Sequence, residues 1–159
     1  ISSSAPLTVA VTAALPTTTT TLPTTPSSAG YVPLTPARLM DTRPGEPTID
    51  GTAAGTGAAG ANTITTVRVT GRAGVPTTGV TAVVVNLTAI NTNSTSGYAT
   101  VYPTGDPRPL ASSINVGPDQ IVANEITAEL GTDGTITIYT QTPMHLAIDI
   151  TGYVPLAAT

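Results

Sequence analysis

The chain has 159 residues and a formal net charge of −4, a length that fits one domain with an appendage and argues against two full domains. Only 9% of its residues are charged and 3% are aromatic, Lys, Cys, Trp and Phe are absent, and 34 residues are Thr. Because β-branched and turn-forming residues favour strands over helices, this composition excludes an ordinary all-α protein. Five Arg against nine acids leave no basic face for phosphates, so nucleic acid is a poor candidate partner.

The surface chemistry indicates a protein that works outside the cell. Cytosolic domains usually carry about a quarter of charged residues on their surface, whereas Thr, Ser and Asn must provide most of the contact with water here. No apolar run of about 18 residues predicts a membrane span. The sequence does not open with Met, so we interpret the chain as a processed product with an extracellular or cell-surface location.

The N-terminal residues 1–13 have the pattern of a β-strand. Their apolar side chains alternate, so that one side of an extended chain carries Leu7, Val9, Val11 and Ala13.

Residues 14–30 follow as a linker with three Pro and seven Thr. In polyproline II geometry 17 residues span about 50 Å, enough to cross a neighbouring domain. The linker also contains candidate O-glycosylation sites at Thr17, Thr18, Thr19, Thr20 and Thr21.

Residues 31–159 predict an all-β domain, an antiparallel β-sandwich for which jelly-roll connectivity stays open. The clearest strand is 80–90, whose two faces are both largely apolar, as expected of a central strand. Further predicted strands are 63–70, 98–102, 120–130, 135–140 and 144–151. The Gly-Thr-Asp-Gly segment at 131–134 predicts a hairpin between the strands on either side of it.

One pentapeptide, Gly-Tyr-Val-Pro-Leu, occurs at 30–34 and again at 152–156. The two copies bracket the predicted β domain. They are interpreted as equivalent edge segments or as the seam between successive domains, and either use suits a chain that forms arrays.

The sequence offers no convincing catalytic or cofactor site. Residues 55–60 match the dinucleotide-binding fingerprint, but no strand precedes them and no helix signal follows, so they are interpreted as an exposed loop. His145 is the only histidine, and Asp149 lies four residues further along the same strand, about 13 Å away, too far to orient a catalytic base. We therefore predict a non-enzyme without a cofactor or resident metal; a calcium site assembled from separate loops stays open.

The few charged residues are expected to pair with one another. Asp41 or Asp149 beside an arginine would make bidentate hydrogen bonds that fix loops onto the sheet. The predicted structural cluster consists of Arg38, Asp41, Arg43, Arg108 and Asp149, with a ligand-binding arginine as the alternative. Three tyrosines, Tyr98, Tyr102 and Tyr139, are the candidate stacking surfaces for a glycan.

Four segments together resemble a known family: Thr-Pro-Ala-Arg-Leu-Met-Asp-Thr-Arg at 35–43, Tyr102-Pro103, the stretch 108–115, and Asp-Ile-Thr-Gly-Tyr at 149–153. They are similar to the secreted β domain of actinobacterial surface proteins, which often occurs in tandem or appended to enzymes. Met40 stands where leucine is more usual, a swap of similar volume. The resemblance implies an extracellular module without recognised catalysis.

Residues 1–30 lie outside that resemblance, and the N-terminal strand needs its own explanation. Our hypothesis is strand donation, in which residues 5–13 of one subunit join the sheet of the next and build a head-to-tail homopolymer. Without lysine or cysteine, cohesion cannot rest on Lys–Asn isopeptide bonds or disulfides. The alternative hypothesis is a monomeric module that binds carbohydrate or cell-wall glycan.

Overall fold

The computed structural model describes residues 30–157, and the predicted N-terminal strand and nearly all of the predicted linker lie outside this range. The described chain contains strands and no helix. Its eight strands are β1 (Val32–Asp41), β2 (Thr63–Arg68), β3 (Val80–Ile90), β4 (Gly97–Pro103), β5 (Ile114–Val116), β6 (Ile121–Glu129), β7 (Thr135–Thr140) and β8 (His145–Pro155).

These strands form two four-stranded sheets with the orders β1-β8-β3-β6 and β2-β7-β4-β5. Every pairing between the eight strands is antiparallel. Most connections cross from one sheet to the other, and this order is that of an eight-stranded jelly roll. The predicted all-β, antiparallel sandwich is therefore confirmed.

The core lies between the two sheets, where alternate residues of each strand point inward. In β3 these residues are Val83, Val85 and Leu87, all fully buried. Ile136 and Ile138 of β7 are buried to the same degree and belong to the same apolar cluster. Both neighbours of β3, namely β6 and β8, are in place, so the predicted central position of this strand is confirmed.

Two strands escaped prediction. β1 contains Pro33 and Pro36, which lack the N–H of a regular ladder, and its pairing with β8 is irregular over this stretch. β5 has only three residues. Neither segment is long and regular enough to show a period of two.

The hairpin predicted at residues 131–134 is wrong. These residues do form a tight turn, in which the Gly134 N–H donates to the Gly131 carbonyl (2.9 Å) and Gly134 has a φ of +75°. However, β6 before the turn belongs to one sheet and β7 after it to the other. Turn residues specify a change of direction, whereas the core-facing side chains decide which strand becomes the neighbour.

The two Gly-Tyr-Val-Pro-Leu copies lie side by side. Val32 pairs with Tyr153 and Pro33 with Gly152, so the start of β1 is hydrogen-bonded to the end of β8. The Tyr31 hydroxyl donates to the Thr151 carbonyl (2.9 Å). The Tyr31 ring also covers Gly152, where a Cβ would lie 2.3 Å from a ring carbon. The first and last described residues therefore meet at one corner of the domain.

The long connection from β1 to β2 contains the fingerprint-like residues 55–60 and runs along the edge of β1. Gly55 N–H donates to the Asp41 carbonyl (2.8 Å), and Gly57 N–H donates to the Thr42 carbonyl (2.9 Å). The main chain is thus bonded to the sheet, in a context quite different from the strand-turn-helix that a dinucleotide site requires.

Candidate functional site

Four residues of the predicted charge cluster meet where β1 and β8 run side by side. Arg38 lies opposite Asp149 and binds it bidentately, with Nε 2.5 Å from Oδ1 and Nη2 3.2 Å from Oδ2. Arg38 Nη1 also donates to Asp41 Oδ2. Arg43 approaches Asp41 from the other side, with Nη2 2.7 Å from Oδ2 and Nε 3.1 Å from Oδ1. Asp41 is therefore held between two guanidinium groups.

The surroundings of Asp41 keep its carboxylate ionised although the side chain is completely buried. Burial favours the neutral form, but hydrogen bonds from the side chain and backbone of Arg43 outweigh it and hold the pKa of Asp41 below its usual value. The hydrogen bond to Asp149 likewise raises the pKa of Arg38. Both carboxylates of the cluster are thus bound by arginine, Asp41 by Arg38 and Arg43 and Asp149 by Arg38.

Arg108, the fifth residue of the predicted cluster, lies elsewhere. Its Cζ atom stands 3.7 Å from the centroid of the Tyr139 ring, on the opposite sheet from Asp41 and Asp149. Sequence reasoning matched Arg108 with a carboxylate, but an exposed guanidinium can also stack on an aromatic face. The membership of Arg108 in the cluster is thus corrected to a cation–π contact.

A second ion pair, between Arg72 and Asp50, was missed. Arg72 Nη2 and Nε lie 2.7 Å from the two carboxylate oxygens of Asp50. The nearly buried Arg72 also donates to the Leu39 carbonyl (2.7 Å) and the Arg68 carbonyl (2.9 Å). The hydrogen bond from Arg72 holds the pKa of Asp50 far below its usual value. The sequence did contain a signal for this pair: in a chain with few charges, Arg72 is expected to pair with an acid just as Arg38 and Arg43 are.

The three candidate stacking residues share the outer face of the β2-β7-β4-β5 sheet, here called the tyrosine face (Tyr98, Tyr102 and Tyr139). Tyr98 and Tyr102 stand two residues on either side of Thr100, whose cross-strand partner is Tyr139. The rings of Tyr98 and Tyr139 have centroids 5.9 Å apart. The Tyr139 hydroxyl donates to Asn62 Oδ1 (2.6 Å). A sugar stacked on Tyr139 would have to compete with Arg108 for that ring.

His145 begins β8 and is half-buried. Its Nδ1 lies 3.0 Å from Thr42 Oγ1, which also accepts a hydrogen bond from the Leu146 N–H (2.9 Å). Asp149 is bound to Arg38 instead. Thr42 and His145 thus tie the end of β1 to the start of β8. Within residues 30–157 no three His, Asp or Glu side chains are grouped so that they could hold a metal ion.

The donor-strand residues Leu7, Val9, Val11 and Ala13, and the predicted O-glycosylation sites at 17–21, lie outside the described residues.

A scan against models of protein families finds no match to this chain, and a search of curated proteins finds no significant match. In the described part of the chain no helix is long and apolar enough to cross a membrane.

Proposed function

We propose that the protein is a structural subunit of an extracellular filament or surface assembly, which polymerises when the N-terminal strand of one subunit docks on the next. The observation that carries this proposal is the contrast between a domain that encloses its own core and an upstream segment with the pattern of a β-strand. Residues 30–157 close an eight-stranded sandwich around their own core. The apolar strand pattern of residues 5–13 stands upstream of a linker of 17 residues.

The energetics favour an ordered role for this segment. Three or four apolar side chains buried at about 1.5 to 3 kcal/mol each would provide a large part of a subunit contact, before ordering costs are subtracted. Main-chain hydrogen bonds to a sheet edge would add to it. A contact of this kind joins two different surfaces, so it propagates from subunit to subunit instead of closing a dimer.

Deletion of residues 1–13 tests the proposal. The deleted protein is expected to remain folded and to sediment as a monomer, whereas the full chain is expected to form rods in negative-stain electron microscopy. Polymers that persist after the deletion would refute strand donation.

A matched pair of variants tests which face of the segment matters. Val9→Asn with Val11→Asn changes the apolar face and should abolish rods. Thr8→Asn with Thr12→Asn also introduces two asparagines, but on the opposite face of the segment, and should leave rods intact. Equal effects of the two pairs would contradict an alternating strand contact.

A monomeric carbohydrate- or wall-binding module is the second candidate, favoured by the gathering of Tyr98, Tyr102 and Tyr139 on one face. Such a module would bind purified cell-wall glycan without polymerising, and Tyr98→Ala or Tyr102→Ala would weaken that binding. Ile64→Ala alters the same face of the sheet without an aromatic ring and is the matched control.

A further inference from the structure

The strand-donation proposal requires an acceptor, and the four sheet edges differ in what they offer. The edge of β1 is covered along its second half, where Asp41 N–H donates to the Ala53 carbonyl (3.1 Å) and Ile49 N–H donates to the Arg38 carbonyl (2.8 Å). Its first half contains Pro33 and Pro36. The edge strand β5 has three residues and is too short to hold a strand of nine.

The edge of β2 is open only in part. Val69 N–H donates to the Gly134 carbonyl (3.0 Å), which fixes the alternation of bonds with β7, so that Ile64, Thr66 and Arg68 direct their main-chain groups away from the sheet. The Arg68 carbonyl is already occupied by Arg72 Nη1 (2.9 Å). On β2, therefore, only Ile64 and Thr66 have both the N–H and the C=O free to bind an added strand.

The edge of β6 is longer and open throughout. Asn91 N–H donates to the Gln120 carbonyl (2.9 Å) and Leu130 N–H donates to the Thr81 carbonyl (3.1 Å), so bonded pairs with β3 fall on the even residues of β6. The odd residues direct N–H and C=O outward: Ile121, Ala123, Glu125, Thr127 and Glu129. Within residues 30–157 none of these outward groups has a hydrogen-bond partner.

A groove of mixed polarity adjoins one end of this edge, and its lining includes the carboxylates of Asp106 and Glu129 beside apolar side chains. A depression of about 300 Å³ lies between the end of β4 and the end of β6, with walls that include Val101, Pro103 and Ala128. Pro107 and Pro109 of the connection between β4 and β5 form its rim. Further along β6, Asn124 Nδ2 donates to the Ser113 carbonyl (2.8 Å), which closes the gap between the sheets there. Space for a large side chain is thus concentrated near Thr127 and Ala128.

We infer that β6 of one subunit receives residues 5–13 of another subunit as an added antiparallel strand, with Leu7 in the groove beside Ala128; this inference rests on the proposed function. The acceptor strand and the donor segment both have nine residues. Leu7 is the largest side chain on the apolar side of the donor, and the groove lies at the C-terminal end of β6. Because Leu7 is near the N-terminal end of the donor, placing it in this groove makes the donor run antiparallel to β6.

The charges permit this pairing. The donor segment 5–13 has no charged side chain, and the exposed side of β6 carries only Glu125 and Glu129. With Leu7 beside Ala128, Thr8 lies beside Thr127, Ala10 beside Glu125 and Pro6 beside Glu129. Small neutral residues therefore face the two glutamates, and no like charges meet.

Engineered cysteines test the inference, because the chain has none of its own. A full-length protein with Thr8→Cys and Thr127→Cys should form disulfides between subunits, since bonded antiparallel partners have Cα atoms about 5.5 Å apart. On a non-reducing gel the expected result is a ladder of oligomers. Thr8→Cys with Ala123→Cys should give none, because Ala123 lies about 13 Å further along β6.

The outcomes separate the inference from the proposed function. A ladder with Thr66→Cys on β2 instead of Thr127→Cys would overturn β6 as the acceptor and retain strand donation. A disulfide within single chains would show that the segment folds back on its own domain and would overturn both. If no cysteine pair reacts although deletion of residues 1–13 still abolishes rods, β6 is again excluded.

A proline pair provides an independent measurement. Thr127→Pro removes an outward N–H without removing a bond to β3, and Thr66→Pro does the same on β2. Rods should be lost only with Thr127→Pro, while both variants keep the far-ultraviolet circular dichroism of a folded sandwich. Rods that persist with a folded Thr127→Pro variant would contradict the inference.

Discussion

Asp41 shows at the residue scale how a chain with few charges uses them. Its carboxylate accepts four hydrogen bonds from Arg38 and Arg43, and the side chain has no exposed surface. A carboxylate in this position ties the end of β1 to its own loop and, through Arg38, to β8. The cluster therefore joins the first and last strands of the domain by side chains as well as by main-chain bonds.

Replacing Asp41 with asparagine should destabilise the domain by about 2 to 3 kcal/mol, because the amide keeps the shape but leaves Arg43 without its carboxylate partner and Arg38 with Asp149 alone. The measurement is urea unfolding followed by circular dichroism. Asp119→Asn, an exposed position with a φ of +50° that asparagine tolerates, is the control and should change the free energy of unfolding by less than about 0.5 kcal/mol. Equal effects would contradict a special role of Asp41.

At Gly152 the ring of Tyr31 leaves no space for a side chain. A methyl group there would meet the ring of Tyr31, so Gly152→Ala should displace the ring, break its hydrogen bond to Thr151 and destabilise the domain by about 1 kcal/mol. In a Tyr31→Ala background the same substitution should have little effect. A double-mutant cycle by thermal unfolding measures this coupling, and additive effects would rule it out.

Sequence reasoning predicted the partners of Asp41 because oppositely charged residues within a few positions must pair when few charges exist. It could not predict that Arg108 stacks on Tyr139 or that Arg72 reaches Asp50, since each arginine lies in a loop whose path depends on the complete fold. The same limit applies to the tyrosine face. The spacing of Tyr98 and Tyr102 places them on one side of a strand, but the neighbouring position of Tyr139 follows from the register of β7.

At the scale of elements, β3 shows which strands a sequence reveals. Its 11 residues are apolar on both faces, it pairs with β6 and β8, and its predicted bounds match the structure. β7 is equally regular and equally well predicted. By contrast, β1 is interrupted by prolines, and the partner of β7 could not be read from the turn before it. Local pattern thus defines regular strands, whereas the order of strands depends on contacts across the core.

The central position of β3 predicts a large effect of truncation. Leu87→Ala should lower the free energy of unfolding by about 2 to 5 kcal/mol, because the side chain is fully buried between the sheets. Ile121→Ala on the edge strand β6 removes a side chain that is 70% exposed and should change it by no more than about 0.5 kcal/mol. Chemical denaturation of the two variants gives the comparison, and similar losses would contradict the described burial.

For the whole molecule, the closed core predicts that residues 30–157 fold by themselves. Within residues 30–157 the buried apolar cluster draws on both sheets, and Leu39 is the first of its fully buried members. A protein restricted to residues 30–157 should therefore unfold cooperatively, with a midpoint within a few degrees of the full monomeric chain. Loss of cooperative unfolding on removing residues 1–29 would show that the upstream segment contributes to the core of its own subunit.

Acid should weaken the whole domain. Asp41 and Asp50 have pKa values below the unfolded value of about 3.9, so their stabilisation is fully present above that pH and is lost as the pH falls through the folded values. The melting temperature should stay level between about pH 7 and 5 and decrease below about pH 4. Asp41→Asn should show a smaller decrease over the same range, and an unchanged decrease would exclude Asp41 as a cause.

The corner at which β1 and β8 pair has a mechanical consequence for a polymer built by strand donation. Tension would enter a subunit at Gly30, just before the paired residues Val32 and Tyr153. Across the sheet, Tyr153 is aligned with Val83 of β3, which is in turn aligned with Ala128 of β6. An antiparallel donor leaves β6 at the Ile121 end, about 23 Å from the level of Ala128 along the strands. The pull then runs diagonally through the sheet and shears the donor's hydrogen bonds together, where a parallel donor would be peeled off one bond at a time.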